Sequence, residues 1–132
     1  KLVKGARETP TWVFCAPGVQ GARIEGLTKR GVTVIEAEPD ADGRPAVADI
    51  LTGLAKSGIT RVLVEGGGRL AAAFLRSRKV DRLAWFRAAS IIGADGVPAI
   101  AEAGVVSLAE AYGFVRCDGA GTDVFEEFRR KE

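Results

Sequence analysis

The segment VLVEGGGRLAAAFL, residues 62–75, constrains the fold more than any other part of the chain. It includes the end of a nearly continuous apolar run over residues 59–64, which has the length of a β-strand and stops at Glu65 and three glycines. After the glycines, residues 69–78 are rich in alanine and leucine, with apolar side chains at helical spacing. Because the run is apolar on both sides, it predicts a central strand of a parallel sheet, joined by a glycine turn to a helix.

Strands and helices alternate along the rest of the chain. Residues 11–16 and 32–37 are rich in β-branched and aromatic side chains and predict two strands. Residues 47–56 carry apolar side chains at helical spacing, and Gly58 follows at the position of a C-terminal cap, which predicts an amphipathic helix. A further strand is predicted over residues 83–92.

The last part of the chain predicts an antiparallel hairpin. Residues 114–117 and 123–129 have the composition of strands and flank the turn-forming stretch 118–121. Alternating strands and helices that end in a hairpin are typical of an α/β fold. We therefore predict a mixed sheet, mostly parallel with a C-terminal antiparallel hairpin, in a single domain over residues 1–132.

Charge and hydropathy argue against several classes of protein. The 19 basic and 17 acidic residues are spread along the chain and give a net charge of +2, so no basic stripe for nucleic acid is present. No apolar run approaches the roughly 20 residues that a membrane-spanning helix needs, and residues 1–10 lack a signal-peptide core. We expect a cytoplasmic protein. The sequence has no methionine and begins at Lys1, which predicts an N-terminally truncated piece of a longer product.

The absence of histidine narrows the chemistry. Histidine is the commonest general base and metal ligand, so neither a hydrolytic mechanism nor a metal site is expected. Cys15 and Cys117 lack CxxC spacing and are predicted to be buried, reduced thiols. Asp81 and Asp123 are interpreted as structural carboxylates in loops or turns. Four aromatic side chains at strand positions are predicted to pack in the core: Trp12, Trp85, Phe86 and Phe114.

Two interpretations of the glycines remain open. Without Cβ atoms, Gly66, Gly67 and Gly68 let the backbone approach a ligand, and the amides of the following helical turn suit an anionic phosphate. Alternatively, the glycines form only a tight turn from strand into helix. The spacing is not the GxGxxG of a dinucleotide-binding Rossmann unit, so a plain Rossmann domain is disfavoured. Glu65 is the carboxylate best placed for function, and the alternative is a structural ion pair with a nearby arginine.

Residues 62–100 resemble a known family, the reductase domain of the bifunctional riboflavin-biosynthesis deaminase/reductase. The shared pattern is a strand ending in Glu-Gly-Gly, a helix, a Val-Asp pair, and a strand that runs into an Ile-Ile-Gly turn. The resemblance extends to residues 6–12, residues 31–35 and the terminal GTDVF of residues 121–125. It therefore covers nearly the whole chain.

The resemblance implies a dihydrofolate-reductase-like fold with helices on both faces of the sheet. The implied reaction is the reduction of 5-amino-6-(5-phosphoribosylamino)uracil to its ribitylamino product with NADPH. No side chain takes the role of a titrating catalyst, since hydride transfer depends chiefly on positioning. The resemblance assigns substrate contact to Glu65. It assigns cofactor contact to a loop and helix start made of Gly67, Gly68, Arg69, Leu70, Ala71, Ala72 and Ala73.

Further expectations follow from the same resemblance. It implies a cis peptide between Gly66 and Gly67, an upstream zinc deaminase domain and a homodimer. Because the family's substrate phosphate ligands lie upstream of Lys1, the piece by itself is expected to be inactive. Two alternatives are retained: another dihydrofolate-reductase-like reductase of a pterin or pyrimidine, and a noncatalytic assembly domain whose sheet edge or hairpin pairs with a second subunit.

Overall fold

The computed structural model describes residues 2–93, 95–101, 104 and 107–132. The chain divides into two units, Lys1–Val62 and Leu63–Glu132. None of the described helices is long and apolar enough to cross a lipid bilayer.

The first unit is built around a pair of parallel strands. After a short 3-10 helix, Leu2–Lys4, it contains β1 (Thr11–Cys15), α1 (Gly21–Thr28), β2 (Val32–Glu36) and α2 (Val47–Lys56). β1 and β2 pair in parallel, with Thr11 opposite Val32 and Cys15 opposite Glu36. The two predicted strands and the predicted helix over residues 47–56 are confirmed.

Close contacts fix α2 to the strands of this unit. A Cβ added at Gly53 of α2 would lie 3.0 Å from Cε1 of Phe14 in β1, so the helix approaches the strand where it has no side chain. The Asp49 carboxylate accepts a 2.7 Å hydrogen bond from the backbone amide of Glu38, just after β2. Val32 at the start of β2 is 2% exposed and is the largest fully buried side chain among the described residues.

The second unit contains a three-stranded antiparallel sheet. Its elements are α3 (Gly68–Arg76), β3 (Arg82–Arg87), α4 (Leu108–Ala111), β4 (Tyr112–Ala120) and β5 (Asp123–Arg130). The strand order is β3-β5-β4, so β5 lies in the middle. β4 and β5 form the predicted hairpin, and Ala120 pairs with Asp123 across the two-residue turn Gly121-Thr122, in which Gly121 has φ +67°.

One side of this sheet carries a cluster of charged and aromatic side chains. The Glu127 carboxylate of β5 accepts hydrogen bonds from Arg82 of β3 at 3.2 Å and from Arg116 of β4 at 3.0 Å. The Arg116 guanidinium also lies 5.1 Å from the ring centroid of Phe125, whose ring is 4.8 Å from that of Phe86. The three strands are thus linked by side chains as well as by backbone hydrogen bonds.

The mixed α/β class is confirmed, but one predicted strand is not formed. Residues 59–64 have no strand structure, and their side chains stay accessible: Leu63 is 80% exposed and Val62 is 45% exposed. A strand needs hydrogen bonds from a neighbour, and no described residue pairs with this segment. Parallel pairing in the described residues is therefore limited to β1 and β2.

Two expectations about buried side chains are wrong. Phe86 is 66% exposed and Phe114 is 61% exposed; both lie on outer strands, where their rings contact only Phe125 and Phe128 of β5 among the described aromatic residues, at centroid distances of 4.8 and 5.8 Å. Neither cysteine is buried: Cys15 is half-buried and Cys117 is exposed, although both are free thiols.

Candidate functional site

The predicted glycine segment lies on the surface at the start of α3. Glu65, Gly66 and Gly67 are exposed, and the helix begins at Gly68 with Gly67 as its N-cap. The Gly67 carbonyl accepts hydrogen bonds from the amides of Leu70 at 2.9 Å and Ala71 at 3.2 Å. Backbone amides that precede Leu70 have no acceptor within the helix, as at any helix start. The positive end of the helix dipole therefore points toward an exposed loop.

The three glycines have different surroundings. A Cβ added at Gly68 would lie 2.5 Å from the Pro98 carbonyl oxygen, so residues 98–101 need a glycine there. At Gly66 an added Cβ would meet the Leu70 side chain, whereas at Gly67 it would meet no atom within 4 Å. The tight-turn interpretation thus explains Gly68, and the open backbone at Gly67 is the part that a ligand can approach.

The peptide between Gly66 and Gly67 is trans, so the expectation of a cis bond is wrong. A cis bond between residues other than proline costs about 3 kcal/mol and persists only where its surroundings enforce it.

Glu65 is exposed, and it does not end a buried strand as predicted, because residues 59–64 form none. Within the part of the chain that the structure describes, no hydrogen bond or ion pair links its carboxylate to another side chain. The alternative of a structural ion pair with a nearby arginine is therefore not realised among these residues. The exposed Glu65 side chain is therefore accessible to a polar ligand.

The residues predicted to contact a cofactor differ in exposure. Gly67, Arg69 and Leu70 are exposed, and Gly68, Ala71 and Ala73 are half-buried. Ala72 is 0% exposed and packs inside the unit, as do Phe74 and Leu75 further along α3. The accessible part of the predicted set is thus its first half, next to Glu65.

Sequence reasoning missed the segment that covers one side of this helix start. The Ala101 amide donates a 3.1 Å hydrogen bond to the Gly68 carbonyl, and the Pro98 carbonyl lies over Gly68. Residues 98–101 carry no motif that would have revealed this contact. They form one wall beside the exposed loop.

Other acidic residues have structural partners, as predicted. The Asp81 carboxylate forms a 2.8 Å ion pair with Arg130, and Asp123 accepts a hydrogen bond from the Thr122 hydroxyl beside the hairpin turn. Two open cavities of about 310 and 390 Å³ lie at the end of the sheet, where both are lined by residues 129–131, and neither includes any of residues 65–73.

Comparison with known proteins identifies related sequences and folds. Residues 2–124 match the family described as RibD C-terminal domain. The riboflavin biosynthesis protein RibD of Bacillus amyloliquefaciens is 33% identical over 99 residues, which are 75% of this chain and 25% of that protein. The chain therefore spans about a quarter of the length of this curated relative.

Solved structures share the fold at lower sequence identity. Acinetobacter baumannii RibD, form 1, matches 100% of this chain and 35% of its own with a TM-score of 0.72 at 20% identity. A pyrimidine reductase-like protein from Corynebacterium diphtheriae matches 92% of this chain and 50% of its own with a TM-score of 0.74 at 19% identity. At these identities the similarity concerns the fold.

Proposed function

The chain belongs to the RibD C-terminal domain family and has the dihydrofolate-reductase-like fold of its reductase domains; on this premise, we propose that it acts in the reductase step of riboflavin biosynthesis. The proposed reaction is the NADPH-dependent reduction of 5-amino-6-(5-phosphoribosylamino)uracil to the ribitylamino compound. The proposal rests on the proximity of two features in the chain. The exposed carboxylate of Glu65 has no partner among the described residues, and the open backbone of Gly67 follows two residues later, at the start of α3.

The residues present fit a dinucleotide at this place. Gly67 offers bare backbone with no atom within 4 Å of an added Cβ, so a phosphate or ribose can lie against it. The helix that begins at Gly68 turns its positive end toward the same space, which favours phosphate. We assign cofactor contact to residues 67–71, and the buried Ala72 supports them from inside.

In the proposed mechanism the chain positions the reactants. When bound, the reduced nicotinamide supplies a hydride. A hydride delivered to the sugar C1 of the ring-opened imine would turn the C=N double bond of the substrate into a single bond, and the nitrogen would take a proton from water. Glu65 accepts hydrogen bonds from the substrate's N–H or O–H groups and holds the imine carbon toward the cofactor. This role needs no proton transfer by Glu65.

Binding of the substrate tests the proposal. We expect 5-amino-6-(5-phosphoribosylamino)uracil to bind the chain saturated with NADP⁺, which cannot reduce it, in calorimetry, and Glu65→Gln to weaken this binding at least about tenfold, since a hydrogen bond to a charged group contributes roughly 1.5–3 kcal/mol. Glu8→Gln is the matched control, because Glu8 is also exposed and lies in the other unit. Equal affinity of the Glu65→Gln variant and the wild type would refute the assigned role.

A second ligand separates the alternative reductase. Dihydrofolate carries a pterin in place of the uracil, so preferential binding of dihydrofolate would favour a pterin reductase of the same fold. Binding of neither compound, with no binding of NADPH, would favour the noncatalytic assembly domain. Binding is the suitable measurement because the chain spans only part of its relatives.

Four other features stay predictions. They are the single domain over residues 1–132, the cytoplasmic location, the upstream zinc deaminase domain as a partner, and the homodimer.

A further inference from the structure

Two arginines lie opposite each other on strands β3 and β5. In the antiparallel register Arg82 pairs with Arg129, so the two side chains are on the same face of the sheet. Both residues are exposed. Like charges in directly opposite positions destabilise a sheet. An anion bound beside the two guanidinium groups would remove this penalty.

The two arginines differ in their partners. Arg82 donates a 3.2 Å hydrogen bond to one carboxylate oxygen of Glu127, and the other oxygen accepts a hydrogen bond from Arg116. Glu127 lies two residues before Arg129, on the same face of β5, but both of its oxygens are thus already in use. Within the part of the chain that the structure describes, no hydrogen bond or ion pair joins the Arg129 guanidinium to another group. Its N–H donors are available to a ligand.

The space beside Arg129 is open. On β4 the residue opposite Arg129 is Gly113, which has no side chain to cover it. Of the described atoms outside its chain neighbours, a Cβ added at Gly113 would meet only the Arg129 carbonyl oxygen within 4 Å, at 3.9 Å. Arg129 lines both cavities at this end of the sheet, of about 310 and 390 Å³. A small ligand can therefore reach the guanidinium.

Basic residues outnumber acidic residues around these cavities. The basic residues that line them are Arg82, Arg129, Arg130 and Lys131, and the acidic ones are Asp81 and Glu132. Asp81 already forms its 2.8 Å ion pair with Arg130. The Lys131 ammonium donates a 2.6 Å hydrogen bond to the Ala109 carbonyl, a neutral acceptor that does not cancel its charge. The excess of positive charge favours an anion with two negative charges.

A phosphate monoester has the chemistry that these features require. Its second pKa is about 6, so it is largely a dianion at neutral pH. Its oxygens accept paired hydrogen bonds from the planar fork of an arginine. A carboxylate accepts the same bonds but brings a single negative charge.

We propose that this end of the β3-β5-β4 sheet binds a small phosphate monoester, whose phosphate group lies beside Arg82 and Arg129 and accepts hydrogen bonds from Arg129. The site shares no residue with the cofactor contacts proposed for residues 67–71. It therefore does not depend on the proposed reaction.

Phenyl phosphate and phenyl sulfate are matched probes, because they have similar shapes and the sulfate has only one negative charge. We expect phenyl phosphate to bind the chain in calorimetry at least about tenfold more tightly than phenyl sulfate at equal ionic strength. Equal affinities would overturn the assignment to a dianion. Saturating NADPH should leave the affinity for phenyl phosphate unchanged. Competition between the two would place a cofactor phosphate here and overturn the proposal of a separate site.

Substitutions at Arg129 test the assigned contact. We expect Arg129→Gln to weaken binding of phenyl phosphate at least about tenfold, since hydrogen bonds from a charged donor are lost. Arg129→Lys keeps the charge but not the paired donors, so its affinity should be intermediate. Arg23→Gln is the matched control, because Arg23 is also exposed and lies in the first unit. It should bind the probe like the wild type.

Melting temperatures show whether the variants fold and whether the probe stabilises them. Without the probe, Arg129→Gln should melt at or above the temperature of the wild type, because Arg82 no longer lies opposite a second positive charge. Phenyl phosphate should raise the melting temperature of the wild type and of Arg23→Gln, and much less that of Arg129→Gln. A probe that does not bind the wild type, or that stabilises Arg129→Gln equally, would overturn the proposal.

Discussion

Gly66, Gly67 and Gly68 are adjacent in sequence but serve different purposes. Gly68 is required by the protein itself, because the Pro98 carbonyl occupies the space of a side chain. Gly67 has no such neighbour, and its backbone angles of φ −62° and ψ 170° are open to any residue. The fold therefore does not require a glycine at position 67. A glycine that the fold does not require is expected where a ligand approaches the backbone.

Alanine substitutions separate these two purposes. We expect Gly68→Ala to lower the free energy of unfolding by about 1–3 kcal/mol, because its methyl group overlaps the backbone of residues 98–101. Gly67→Ala should change it by less than about 1 kcal/mol. Urea denaturation measures both variants. Equal destabilisation by the two substitutions would contradict the contact between Gly68 and Pro98.

Tyr112 gives the second unit a dependence on alkaline pH. Tyr112 is 4% exposed, and burial raises the pKa of its phenol above 10.0; Arg130 opposes this shift in pKa and Asp81 adds to it. The unfolded chain therefore loses the phenolic proton at lower pH than the folded chain, so the free energy of unfolding is unaffected below this range and falls as the pH rises through 10.

Tyr112→Phe isolates this effect, because the sequence contains only 1 tyrosine. We expect the variant to lose less stability than the wild type between pH 9 and pH 11, as measured by urea denaturation. Subtracting the loss in the free energy of unfolding of the variant from that of the wild type cancels the contributions of all groups that the two proteins share. An identical loss in both would show that the phenol titrates alike in the folded and unfolded chains.

At the scale of elements, the sequence predicted a helix or hairpin correctly where the stabilising contacts lie within one segment of the chain. α2 has the predicted bounds, since its apolar spacing and its capping region lie within one stretch of chain. The hairpin of β4 and β5 also formed, but residues 118–120, predicted as part of its turn, continue β4, and only Gly121 of that stretch lies in the turn. Residues 59–64 have equally good strand composition but lack a paired neighbour, and composition does not specify whether one is present.

The middle strand β5 depends on Glu127. Its carboxylate is 14% exposed and holds Arg82 and Arg116 from the two outer strands. Both arginines are largely exposed, so solvent weakens each ion pair. We therefore expect Glu127→Gln to lower the free energy of unfolding by about 1 kcal/mol. Glu126→Gln is the matched control, because Glu126 makes a single, longer contact of 3.7 Å to Arg87, and it should cost less than about 0.5 kcal/mol. Thermal denaturation of the two variants measures the difference, and equal midpoints would show that Glu127 does not link the strands.

At the scale of the whole molecule, the family and the mixed α/β fold could be predicted from sequence, while the details of the site could not. The glycine motif lies in one continuous segment, so its pattern was recognisable in residues 62–75. The wall formed by Pro98 and Ala101, the exposure of Glu65 and the burial of Ala72 depend on contacts between distant segments. Such contacts leave no periodic signal in the sequence.

Titration of the ¹⁵N-labelled chain with NADPH is the most direct test of the proposed cofactor site, which is the loop next to Glu65 and the start of α3. We predict that amide resonances of residues 65–71 shift, and that Gly67→Ala weakens binding roughly tenfold because the new methyl group stands where the cofactor meets the backbone. Gly26→Ala, which also adds a methyl group with no atom within 4 Å, should bind NADPH like the wild type. Shifts confined to residues outside 65–71, or equal affinity of Gly67→Ala and the wild type, would contradict the account.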